Sequence, residues 1–241
     1  MAITEKRTAF KPSLHGFHFK NEFDVAISFE GIDFGSIEMK LCGGMAWAAL
    51  DRFFGHVEAP IPPDTQPPEA WSPLFKELFG RQWDCMRGMN LIEKFLEWMC
   101  RPNKHHWHDI RTSVGELTQK EEWPTIKSLL DSGYPVSMGL VTVREFEDPT
   151  RNHMVLATGY QLDDSNGHLT INIYDPYFPN EDWVTISIIL DQKDYELSAQ
   201  HSRGAPLRGF FHWPYDKPLV YVPGYDQMAA VDEMAWWILM E

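Results

Sequence analysis

Apolar residues recur along this chain with two different periods, and the period changes near residue 134. Early in the chain, Met45, Ala49 and Phe53 share one helical face, and Ala46, Leu50 and Phe54 share the next. Two adjacent apolar stripes predict a mostly buried helix that opens at Gly43-Gly44 and runs to about Phe54. Residues 59–73, APIPPDTQPPEAWSP, hold too much proline for a helix or a central strand and read as a connector. Short helices are predicted near 73–80 and 89–100, the second with Leu91, Phe95, Trp98 and Met99 on a common face. Thr118 with Glu121 has the spacing of a capping box, ahead of a helix ending near Ser132-Gly133.

From Pro135 the alternation is strand-like. PVSMGLVTV, HMVLATGYQL, HLTINIYD, WVTISIIL and RGFFHW each predict a strand, and DDSNG between the second and third is a hairpin turn. Residues 1–40 read as irregular or strand-like, and 226–240 as a closing helix. Helices before strands predict an α+β fold with a helix-rich half packed on an antiparallel sheet. The expected organisation is one domain over residues 1–241, with a helical lobe to about 133, a β lobe over about 134–225 and the C-terminal helix over about 226–240.

Composition narrows the partners. A chain of 241 residues suits a single core. Thirty-five acidic against 21 basic residues leave a formal charge of −14, which repels phosphate backbones and argues against a nucleic-acid partner. Three cysteines, with no CxxC pair, argue against a disulfide framework and a zinc knuckle. The opening MAITEKRTAFKPSLHG has no apolar run of the signal-peptide kind, and Met234 to Met240 is far short of the ~20 residues a membrane span needs. The expectation is therefore a cytoplasmic protein with no membrane span. A signal-independent export route is compatible with the same sequence, and the oligomeric state is left open.

Three residues suggest chemistry when taken together. Cys42 stands directly before Gly43-Gly44 at the start of the predicted buried helix, where the helix dipole and free N–H groups favour a thiolate. The two glycines are expected to let a substrate approach the backbone. His153 opens one strand of the predicted hairpin and Asp175 closes the other, so antiparallel pairing makes them neighbours across 22 positions. A carboxylate beside a histidine fixes its tautomer and stabilises its charged form. Each residue alone has an ordinary structural explanation; the three together, in that order, are much less expected by chance than any one.

The blocks LCGGMAWAALDRFF, NHMVLATGY and IYDPYFP resemble the signature blocks of the papain-like cysteine peptidase superfamily. The likeness is nearest to bacteriocin-processing double-glycine peptidases and to uncharacterised bacterial and fungal papain-like proteins. The resemblance implies Cys42 as nucleophile, His153 as base and Asp175 as orienting acid, acting on a protein or peptide substrate through a thioester, with no cofactor and no metal. It also implies a side-chain oxyanion donor, usually a Gln about six residues before the Cys. That position is Ser36 here and no Gln precedes Cys42, which leaves Asn21 and Ser36 as the candidates. Two other functions use the same fold: transglutaminase- or deamidase-like acyl transfer by a protein-modifying effector, and binding by a catalytically weak module. Tyr177 is expected to shield the His–Asp bond. His105, His106, His108 and Asp109 read as a solvated polar loop, His15 and His18 as structural, and Cys85 and Cys100 as core or semi-exposed thiols.

Overall fold

In the computed structural model, residues 3–29, 32–104, 111–190, 195, 197–204 and 206–218 are described. The predicted helix 226–240 and the His105–Asp109 segment lie outside them. In chain order the first elements are β1 (Ile3–Arg7), α1 (Pro12–His15), β2 (Phe23–Phe29), β3 (Ile32–Met39), α2 (Cys42–Phe53) and α3 (Pro73–Met86). Next come α4 (Asn90–Met99), α5 (Val114–Leu117), α6 (Trp123–Asp131), β4 (Val136–Val141), β5 (His153–Asp163) and β6 (His168–Tyr174). The last are β7 (Thr185–Ile189), β8 (Ser198–His201), β9 (Pro206–Leu207) and β10 (Gly209–His212).

The fold is mixed α+β. A curled antiparallel sheet runs in the order β10-β4-β5-β6-β7-β8-β9, and β2 pairs with β3 separately. Strand β5 carries two partners end to end on one edge: His153 to Ala157 pair with β4, and Gly159 to Asp163 pair with β1. The first forty residues thus contribute an edge strand to the sheet of the later half, so the two lobes expected from sequence are interleaved.

Side-chain alternation splits the core into two layers. Met154, Leu156, Tyr174 and Phe211 face Met45, Trp47 and Leu50 of α2. Val155, Ala157, Ile171 and Ile173 face Trp123, Ile126 and Leu130 of α6. Burial on both faces is why β4 and much of β5 read as near-continuous apolar runs.

Two helices depart from the prediction. The cap of the 114–131 helical stretch is Ser113, which accepts the Glu116 N–H at 3.1 Å, not Thr118. Both positions carry the Ser/Thr-x-x-Glu pattern, and the earlier one is used. Thr118 lies inside the helix, where its hydroxyl donates to Phe210 O (3.1 Å) and accepts from Phe210 N–H (3.2 Å). The turn Thr118–Glu122 widens to a π-helix just before Pro124. Proline lacks the N–H for a regular α-turn there, and its ring would clash with the carbonyl four residues back. Helix α3 continues through Gly80 to Met86 because its second half is anchored: Arg81, 6% exposed, pairs with Asp51 of α2 at 2.7 Å.

Candidate active site

The nucleophile candidate is the first residue of α2. Leu41 caps the helix with no side-chain acceptor, so the leading N–H groups depend on tertiary partners. Gly44 N–H finds one in Gln82 Oε1 of α3 at 2.9 Å. The glycine pair exists for this packing: a Cβ on Gly44 would stand 2.1 Å from Leu78 O, and one on Gly43 would stand 2.8 Å from Cys85 Sγ. This corrects the expectation that the glycines open the backbone to substrate; α3 occupies that side.

The hairpin brings the other two residues to Cys42. His153 is the first residue of β5, paired across from Leu140, and Asp175 follows the last residue of β6. A register shift between Ala157 and Gly159 lets the two ends meet. His153 Nε2 lies 2.7 Å from Asp175 Oδ1, which also accepts the Tyr177 N–H at 2.9 Å. With Nε2 engaged, Nδ1 is the nitrogen left for the half-buried Cys42, whose thiol lies close enough to His153 to feel its charge.

Burial alone would raise the Cys42 thiol, but the His153 hydrogen bond and charge, with the Met154 and Gly43 N–H groups, hold it below its ordinary value. Burial would likewise lower His153; the adjacent Asp175 carboxylate and the Cys42 partner push it up to about 10. Asp175 is itself buried, yet the His153 charge, hydrogen bonds from His153 and the Tyr177 N–H, and the adjacent His201 ring hold it well below the usual carboxylate range. Each of these directions favours the charged form of its group: thiolate, imidazolium and carboxylate. Cys85 is the contrast: fully buried, its thiol is pushed well up by burial and by the nearby Cys42 charge.

Asn21 joins the elements that carry these groups. Its N–H donates to Pro176 O (3.0 Å), beside Asp175, and its Oδ1 accepts the Leu41 N–H (2.6 Å), beside Cys42. The Leu41 donor dictates which end of the amide is oxygen. Nδ2 is then buried with no partner. Ser36, the alternative, is not brought to this cluster: it is exposed on β3, paired with Ala26.

Tyr177 stacks at a tilt on His153, ring centres 4.9 Å apart, and Lys40 Nζ lies 5.3 Å from the Tyr177 ring centre. Two further residues had no signal in the sequence. Gln82 sits mid-helix among ordinary helix formers. His201 ends a four-residue strand, and its Nε2 lies 3.0 Å from Asp175 Oδ2.

No family model, curated protein or solved structure matches the chain. Function therefore rests on the geometry. No helix among the described residues is long and apolar enough to cross a membrane.

Proposed function

We propose that this chain is a cysteine hydrolase, with a protein or peptide as substrate, working through a papain-like Cys-His-Asp triad. The observation that carries the reading is the meeting of Cys42, His153 and Asp175, with the 2.7 Å His–Asp contact and a thiol close enough to the same histidine to be held down by it. The electrostatic directions support it: each partner favours the charged form of its neighbour.

In this mechanism the Cys42 thiolate attacks the carbonyl carbon of an amide. The developing oxyanion is held by the Cys42 N–H, which as the first residue of a helix has no intrahelical acceptor, and by Asn21 Nδ2. A buried donor without a partner costs about 1–3 kcal/mol. That cost is offset once the oxyanion forms. His153 gives its proton to the leaving amine, leaving a thioester on Cys42. It then takes a proton from the water that hydrolyses the thioester. Asp175 keeps the ring's Nε2 proton pointed away from the reaction throughout.

The test is the pH dependence of Cys42 alkylation, read by mass spectrometry at that site, with His153→Ala as control. A thiolate that persists below about pH 7 and disappears in the variant supports the triad. A Cys42 no faster than a free thiol sinks it. Peptide-library cleavage, run beside amine incorporation and glutamine deamidation, then separates a peptidase from acyl transfer to or from a protein side chain.

A further inference from the structure

Asp175 is shared between two histidines. Its Oδ1 faces His153 and the Tyr177 N–H, while its Oδ2 lies 3.0 Å from His201 Nε2. The His201 contact is close in distance but off the line of a regular hydrogen bond. What it presents is a nearby N–H dipole rather than a regular hydrogen bond. The tautomer is set from the far side: His201 Nδ1 accepts the Arg203 N–H at 3.0 Å, so the ring proton stands on Nε2 and faces the carboxylate. The ring is held in place. It is buried, it packs on Phe178 with ring centres 5.8 Å apart, and the Arg203 guanidinium lies over Phe178 while pairing with Glu181.

The placement is a product of sheet curl. His201 belongs to β8, which reaches β6 only through β7, with Ile186 opposite His201. In a flat sheet two strand spacings are roughly 10 Å. Curling brings the end of β8 back over the residue that follows β6.

We propose that His201 is a positioning residue of this site, holding Asp175 Oδ2 so that Oδ1 stays turned to His153 and the carboxylate stays ionised. The inference rests on the proposed triad. Without His201, Oδ2 would have no close polar partner among the described residues, in a buried setting that favours protonation of a carboxylate. The other groups around Asp175 do not replace it: His153 and Tyr177 engage Oδ1, and the buried Tyr174 phenol donates no bond to it, accepting the Phe17 N–H at 3.1 Å instead. Cys42 and Lys40 lie beyond His153 and Tyr177. The Arg203–Glu181 pair stands behind His201.

The test compares His201→Leu, which removes the donor at similar volume, with His201→Gln, whose amide can present an N–H near the Nε2 position. Site-specific alkylation of Cys42 by iodoacetamide is followed from acid to neutral pH in the full chain. In H201L the acid-side loss of reactivity should move up by roughly 0.5–1 pH unit, the scale of one ordinary hydrogen bond. H201Q should stay close to the wild-type profile. If H201L does not fold, His201→Asn, too short to reach Oδ2, carries the same comparison. A donor-less variant with an unmoved acid limb, or with reactivity reduced by one factor at every pH, overturns the role of His201 and leaves the triad standing. A wild-type Cys42 that reacts as a free thiol at every pH overturns both.

Discussion

Replacing Gly44 by Ala tests how α3 builds the start of α2, the helix that begins at Cys42. The new Cβ would lie 2.1 Å from Leu78 O and 2.9 Å from Gln82 N, both backbone atoms that no rotamer change can move. Ordinary contact begins near 3.4 Å, so α3 must recede by about 1.3 Å, the difference between 3.4 and 2.1 Å. Overpacking of this kind costs about 1–3 kcal/mol. It opposes a helix-propensity gain of up to about 1 kcal/mol for Gly→Ala. The expected result is a net loss of stability in urea unfolding. Gln82 would also withdraw from the Gly44 N–H, now 2.9 Å away, and displacements near 1 Å at such a site reduce rate by roughly 10²-fold. Gly43→Ala is a milder insult, because its Cβ meets Cys85 Sγ at 2.8 Å and Gln82 Oε1 at 3.1 Å, both side-chain atoms. Cys85→Ala should therefore rescue G43A with a coupling energy of at least about 0.5 kcal/mol and combine additively with G44A. A G44A protein as stable as wild type, or one rescued by C85A as fully as G43A is, would refute the packing argument.

On the proposed mechanism, Asn21→Ala should lower turnover by about 10²–10³-fold while Cys42 alkylation keeps its wild-type pH profile, since an oxyanion donor acts only in the transition state; equal turnover would remove Asn21 from the mechanism. Arg81→Ala should cost about 3–5 kcal/mol in urea unfolding because it strands Asp51, 1% exposed, without its cation; a loss under about 1 kcal/mol would mean the pair is not holding α2 to α3. Asp175 is held below its ordinary range, so its contribution to stability is present above about pH 4 and lost as pH falls. The acid limb of the stability curve should accordingly be shallower in Asp175→Asn than in wild type. His153 is pushed up to about 10, so its contribution is full below about pH 6.5 and lost as pH rises toward 10. Cys42 titrates with the opposite sign, so Cys42→Ser should expose an alkaline fall, at lower pH than in wild type because the Cys42 part of the His153 shift goes with the thiol while the Asp175 part stays. A flat alkaline limb in this variant would contradict the assignment.

The hairpin was legible because its information is local. Alternation marks β5 and β6, DDSNG marks the turn between Asp163 and Gly167, and pairing then forces His153 toward Asp175 without any knowledge of the rest of the chain. The buried character of α2 was legible for the same reason: its apolar stripes repeat within a dozen residues. Asn21 was reachable only as an amide in the right region; its hold on Leu41 and Pro176 emerges once the N-terminal segment is pinned to β6, where Phe17 N–H meets Tyr174 Oη.

Cys42 as a residue at a helix start is thus written in the sequence, and so is the meeting of His153 with Asp175. The purpose of Gly43-Gly44, the continuation of α3 past Gly80, the entry of β1 into the sheet and the placing of His201 are not. Each depends on groups far apart in sequence: Leu78 against Gly44, Arg81 against Asp51, Arg7 opposite Gly159, and a strand two places away curling back to Asp175. Local periodicity fixes which face of an element is apolar. Only the packed chain decides which other element covers that face, because burial is non-directional and many partners could satisfy it equally well.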